Sequence, residues 1–216
     1  MDLYKVAAIL GYSIVFAAVI GLVRFKQTMK TYRPFYYIVW LGFLNHSISL
    51  LAVYYFRSNA INGNIFVLAE ALLYIWLFRN WGIFQQKKHM SKYLLFGLVI
   101  VWIIDNLLVH TLHTPNAGFR IISAFVMSFL AIEQLTRLMT SRKQNLFRSP
   151  LFLISGGILV YFTYKAFIEV FFLIKTDASL PLMYNIYTIM VYINCFVNLS
   201  FAWAIVWIPK KNQSLF

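Results

Sequence analysis

The chain has 216 residues, of which 62% are hydrophobic and only 12% charged, and its mean hydropathy is +0.74. A water-soluble surface needs about a quarter of its residues charged, so a soluble domain, a disordered chain and a fibrous repeat are all excluded. The net charge of +13 comes from 19 Lys and Arg against 6 Asp and Glu. The basic residues sit between long apolar runs, so they read as anchors beside acidic lipid headgroups and not as a nucleic-acid surface.

A bilayer core needs about 20 apolar residues in helical form. Seven runs meet that length, at 4–23, 35–56, 65–84, 93–113, 119–140, 151–174 and 182–208. They predict an all-α polytopic bundle, a single seven-helix domain covering 1–216. The first run has no basic stretch before it and no small-residue cleavage site after it, so it reads as a retained span and not a signal peptide. The gaps carry turn chemistry, such as Arg33-Pro34, Asn59 to Asn64, Thr114-Pro115-Asn116, Ser149-Pro150 and Asp177 to Pro181. All five prolines lie at run ends, so no proline hinge is expected inside a span.

In the second run, Gly42, Asn45, His46 and Ser49 make a polar, small-residue stripe at helical spacing. Such a stripe glues helices together in lipid, and His46, at mid-depth, is also a candidate ligand contact. The third run carries Glu70, with Tyr74 one turn further in. Glu70 lies roughly 9 Å inside the run boundary at 1.5 Å per residue. The fourth carries Asp105, Asn106 and His110. In the fifth, Glu133 can pair with Arg137 four residues on. The sixth carries Tyr161, Lys165 and Glu169 on one stripe, and the i,i+4 spacing predicts a Lys165–Glu169 pair along the helix. The seventh carries Asn185, Tyr187, Asn194 and Asn198; the last two read as interhelix hydrogen bonds. A charge near the bilayer centre costs at least about 2.5–3.5 kcal/mol on insertion scales. These residues are therefore expected to face the bundle interior. His46, Glu70, Tyr74, Asp105, Asn106, His110, Tyr161, Lys165, Glu169 and Asn185 form the candidate ligand-binding set, lining a polar cavity that opens outward.

Charge sets the expected orientation. Arg24, Lys26, Lys30 and Arg33 follow the first run; Arg79, Lys87, Lys88 and Lys92 flank the end of the third; Arg137, Arg142, Lys143 and Arg148 flank the end of the fifth; Lys210 and Lys211 lie in the tail. The other side has Lys5, Arg57, Arg120 and Lys175. This asymmetry predicts an outer N-terminus and a cytoplasmic C-terminus. Tyr36, Tyr37, Tyr54, Tyr55, Trp81 and Trp207 fall near the predicted interfaces, as aromatic belts do.

Linker lengths suggest a parallel internal repeat, with a first unit at about 1–90, a linker helix at about 91–115 and a second unit at about 116–216. The segments SPLFLISGGILVYF (149–162) and MYNIY (183–187) resemble a recurrent pattern in uncharacterised bacterial seven-span inner-membrane proteins of similar length. That resemblance extends over the whole chain and implies a multi-pass inner-membrane address, with no activity attached. The 3+1+3 plan also resembles PQ-loop and SWEET-like carriers, although the Pro-Gln dipeptide is missing and no span contains an interior proline.

No phosphate-binding glycine loop, HExxH or CxxC occurs. No cofactor, metal site or catalytic residue is therefore assigned, and the single cysteine, Cys195, reads as a small core residue. The bilayer is the expected partner, and no nucleic acid is expected. A receptor-like or partner-binding module is the favoured reading, taking a small-molecule ligand in the outer cavity and meeting a cytoplasmic or membrane signalling partner. A small-solute or proton-coupled carrier is the alternative, supported by the repeat and the buried carboxylates. An intramembrane enzyme using Glu70, Asp105 or His46 comes third.

Overall fold

A computed structural model describes residues 3–87, 89–140, 146–173 and 180–211. Its helices are α1 (Leu3–Gly11), α2 (Ile14–Arg24), α3 (Arg33–Phe56), α4 (Ala60–Asn80), α5 (Met90–Ile103), α6 (Ala117–Thr140), α7 (Pro150–Leu173) and α8 (Leu180–Trp207). Among the described residues there are seven segments long and apolar enough to cross a membrane, α1 and α2 together making the first. The protein is a multi-pass α-helical membrane protein.

Local chemistry explains most boundaries. Pro34 and Pro150 sit in the first turns of α3 and α7, where a missing N–H costs nothing. Arg57 closes α3 in the left-handed conformation, at φ 58°. Gly82, at φ 86°, turns the chain after α4, and Ile83 N–H returns to Phe78 O at 3.2 Å.

Three boundaries differ from the sequence expectation. The first span is not one rod: it breaks at Tyr12–Ser13 without a proline, the two N–H groups reaching Ile9 O and Leu10 O in tight turns. The fourth helix widens over Ile104–Val109 into a π-type turn, with His110 N–H bonded to Asp105 O at 3.1 Å. The third span begins at Ala60, five residues before the apolar run. Its polar first turns are interhelix contacts and not a loop: Asn62 Nδ2 donates to Asn45 Oδ1 at 2.8 Å and to Ser49 Oγ at 2.9 Å.

The spans close a ring. α2 packs on α3, α3 on α4, α4 on α6, α6 on α7, α7 on α8, and α8 back on α2, while α5 lies outside against α4 and α6. α1 packs on α8 alone among its closer contacts. The half of the ring toward the end of α8 is filled by Phe35, Tyr36, Phe78, Phe162, Ile154 and Ile205, all essentially fully buried. Arginines lock that end. Arg24 donates to Ile208 O at 2.9 Å, and Arg137 donates to Gly82 O at 3.1 Å and Ile83 O at 3.0 Å. Each carbonyl lies just beyond a helix C-terminus, where a cation is favoured. Arg137 also makes the expected pair with Glu133, at 2.8 Å. Lys88, Arg142, Lys143 and Lys175 of the basic residues, and Asp177 of the last expected turn, lie outside the described residues.

The ring places the turns after α2 and α4 at one end and the α3–α4 turn at the other. In a Cys195→Ser background, cysteines at Lys26 and Lys87 should react with an impermeant thiol reagent from the same side of sealed vesicles, and a cysteine at Arg57 from the opposite side. Labelling of Lys26 and Lys87 from different sides would break the layout.

Candidate functional site

The ends of the helices opposite the arginine locks surround a cavity of about 890 Å³. α1 gives Ala8 and Gly11; α3 gives Asn45, His46 and Ser49; α6 gives Gly118 and Arg120; α7 gives Lys165 and Glu169; α8 gives Tyr187 and Asn194. A smaller chamber of about 110 Å³ continues inward and shares Gly11, Asn45, His46 and Asn194 with the first. Its inner walls are Glu70, Tyr74, Tyr161 and Asn198.

Lys165 separates the two spaces. Its Nζ donates to Glu70 Oε2 at 3.2 Å, and the two side chains are only 11% and 7% exposed. The ammonium also lies over the rings of Tyr161 and Phe162, at 5.3 and 5.4 Å from their centroids. The pair joins α7 to α4. The expected Lys165–Glu169 pair within α7 is not made. Glu169 instead accepts from Arg120 NH1 at 3.4 Å, across to α6. The reason is electrostatic: in a low-dielectric interior Glu70 and Arg120 each need a counter-charge, and two cross-helix pairs neutralise four charges where one local pair would strand two.

Asn64 is the hub beside them. It is 2% exposed, receives Arg120 NH2 at 3.0 Å on Oδ1, and donates through Nδ2 to Leu112 O and Thr114 O at 3.2 and 2.8 Å. Trp102 Nε1 donates to its backbone carbonyl at 2.9 Å. One buried amide thus ties α4, α5, the α5–α6 turn and α6 together.

Asp105 has a structural duty. The π-type turn carries it under the start of α6, where Oδ2 accepts from Phe119 N–H at 2.7 Å, satisfying a free donor of that helix's first turn. His110 Nδ1 lies 3.1 Å from Oδ1. Gly118 leaves room for Asp105: a Cβ there would stand 2.9 Å from its Oδ1, and the carboxylate would have to shift. Behind it, Asn106 accepts from Asn116 Nδ2 at 2.9 Å and donates to Trp102 O at 3.1 Å.

The break in the first span is held by His46. Its Nε2 lies 3.1 Å from Ala8 O, a carbonyl that loses its usual helical donor at the break, and Tyr12 stacks edge-on against the imidazole with centroids 4.7 Å apart. A Cβ on Gly11 would come within 2.2 Å of His46 Cε1. Below the break, Asn198 donates to Ser13 Oγ at 3.0 Å.

Of the residues singled out in the sequence, His46, Asp105, His110, Lys165 and Glu169 line the large cavity, and His46, Glu70, Tyr74 and Tyr161 line the small one. Asn106 lies behind the wall in the Asn116 network, and Asn185 is exposed on α8, away from both spaces. The sequence reading missed Arg120, which it counted with the flanking charges, and Asn64 and Asn116, which it placed in turns. A signal existed for Arg120: it stands just inside its apolar run, on the side where basic residues are scarce. Among the described residues, no three His, Cys, Asp or Glu side chains come together as metal ligands would. Compared with family models, curated proteins and solved structures, the chain finds no match.

The Lys165–Glu70 geometry makes a sharp stability prediction. Lys165→Met leaves a buried carboxylate alone and should cost about 3–5 kcal/mol. Adding Glu70→Leu should restore most of that loss, since an apolar replacement of both partners is near neutral. Thermal unfolding in detergent reads both; equal losses in the single and double variants would mean that the pair is not coupled.

Proposed function

We propose that this protein is a receptor-like module of the plasma membrane that binds a small amphipathic molecule in the cavity and presents its other, basic face to a cytoplasmic or membrane signalling partner. The single observation that carries this reading is the one-sided cavity. Its volume suits a small organic ligand, for which pockets run about 300–1,000 Å³. It joins convergent polar groups to the apolar wall of Leu50, Val53, Ile168, Leu173 and Met190, and the far half of the bundle is solid with aromatic and aliphatic side chains. The charge asymmetry supports an outward opening.

A second reading, a small-solute carrier, has its own support. Both irregular helix points, Tyr12–Ser13 and the π-type turn, adjoin the cavity, with Gly11 and Asp105 on its wall. Carriers place interrupted helices at their binding sites.

Protein purified from its native membrane should carry extra density between His46, Lys165 and Asn194. Any co-purified compound identified there should raise the unfolding temperature of the wild type. It should not do so for Asn194→Trp, which fills the space. An empty cavity, with no compound from a metabolite library raising the unfolding temperature, would sink the reading. Saturable, gradient-driven uptake of that compound into proteoliposomes, abolished in Glu70→Gln, would transfer the assignment to the carrier.

A further inference from the structure

Resting on the reading of the cavity as a ligand site, we propose that its ligand is an organic carboxylate seated between Lys165 and Arg120, and that Glu70 takes up a proton as the carboxylate binds.

Two cations with unspent donors, Lys165 and Arg120, face the cavity, and the carboxylates near them are already engaged. Asp105 has both oxygens engaged, by Phe119 N–H and His110. Glu70 lines only the small chamber, on the far side of the Lys165 ammonium. Glu169 is neutralised by Arg120. Lys165, by contrast, has three N–H donors and gives one to Glu70. Arg120 has five; NH1 and NH2 reach Glu169 and Asn64, while Nε is buried with no hydrogen-bond partner among the described residues. Both side chains line the cavity, as does the first turn of α6 at Ala117 and Gly118. An arginine fork beside an ammonium is suited to a carboxylate. The apolar wall from α3, α7 and α8 takes the rest of an organic anion.

Charge balance supplies the proton. The pairs Lys165–Glu70 and Arg120–Glu169 sum to zero. A bound monoanion leaves one uncompensated negative charge in a low-dielectric site, which is costly. Of the two glutamates, Glu70 is the more buried, 7% exposed against 16% for Glu169, and so is the one for which a lost counter-charge costs most. One proton moved from the aqueous phase onto the Glu70 carboxylate offsets the charge that the ligand adds; Asp105, held by Phe119 N–H and His110, brings no further positive charge to do so. The titratable or charged groups that face it are Lys165 and Tyr161 from α7, Tyr74 from its own helix and His46 from α3; α8 contributes the neutral Asn194 and Asn198.

The test is calorimetric titration of the full-length protein in nanodiscs with hexanoate, hexanamide and hexylammonium, each in two buffers of different ionisation enthalpy. Hexanoate should bind with uptake of about one proton per site, and hexylammonium should not bind. Arg120→Gln, and Arg120→Gln/Glu169→Gln, which strands no carboxylate, should each weaken hexanoate by about tenfold or more. Glu70→Gln should bind hexanoate at least as tightly as the wild type, with no proton uptake. Because Lys165→Met alone strands a carboxylate, the double variant Lys165→Met/Glu70→Leu is used, and it should lose hexanoate binding. Hexanoate binding without proton uptake, or unaltered by Arg120→Gln, overturns the inference. So does preference for hexanamide or hexylammonium, which leaves the cavity reading standing. Failure of all three probes overturns the inference as well; it overturns the cavity reading too if, in a Cys195→Ser background, a cysteine at Asn194 is inert to aqueous thiol reagents.

Discussion

Opposite charges that cannot reach water must find each other, and this bundle is arranged around that requirement. An isolated charge in the interior costs several kcal/mol. Four such charges pair with one another across three helices: Glu70 on α4, Arg120 on α6, Lys165 and Glu169 on α7. Their pairing fixes how far each helix is rotated about its own axis. Turning α7 by a third of a turn would bare Lys165 and Glu169 to acyl chains and strand Glu70 and Arg120 at once. The hydrophobic effect gives no such choice its driving force in a membrane, because lipid tails are as apolar as the side chains of another helix.

Amides extend the same logic. Asn64 is bonded to four groups from neighbouring segments, and Asn62 bridges Asn45 and Ser49. Where helices are irregular, a side chain makes the irregularity tolerable. His46 serves Ala8 O at the break in the first span, Asn198 holds Ser13 just beyond it, and Asp105 uses the widened turn to cap α6. Backbone irregularity at membrane depth is tolerated where it is buried in protein or lines a cavity, and both points lie on the cavity wall.

The seven spans were legible because length and apolarity alone select a transmembrane helix. The carboxylates and Lys165 were legible as interior residues because lipid excludes them. Their partners were not. Lys165 and Glu169 are neighbours in sequence, so local spacing favoured a pair between them, yet Glu70, 95 residues away, takes the lysine. A sequence gives each helix its own polar stripe and leaves its rotation against its neighbours open. The boundary of the third span was misplaced for a related reason. Asn62 and Asn64 look like turn residues until something stands opposite them to receive their hydrogen bonds. The break at Tyr12–Ser13 left no proline to read; it depends on Gly11 admitting the His46 ring, a contact between two spans.

The two ends of the bundle differ in what it would take to open them. At the cavity end the polar contacts leave donors free, and α1 packs mainly on α8. At the other end, Arg24 and Arg137 donate three hydrogen bonds to carbonyls beyond helix ends. Bonds from a charged donor are worth about 1.5–3 kcal/mol each, and the packed layer of Phe35, Phe78, Phe162 and Ile205 lies behind them. Moving a two-state equilibrium from 1:99 to 99:1 takes about 5.5 kcal/mol of differential affinity, and opening this end would consume roughly that much before any side chain repacked. A ligand that must also hold its own place in the cavity has little left with which to drive such a change. A shift confined to α1 and its His46 contact asks far less, and it alters the surface at the cavity end without opening a path through the bundle. These energies favour the proposed receptor-like reading over the proposed carrier.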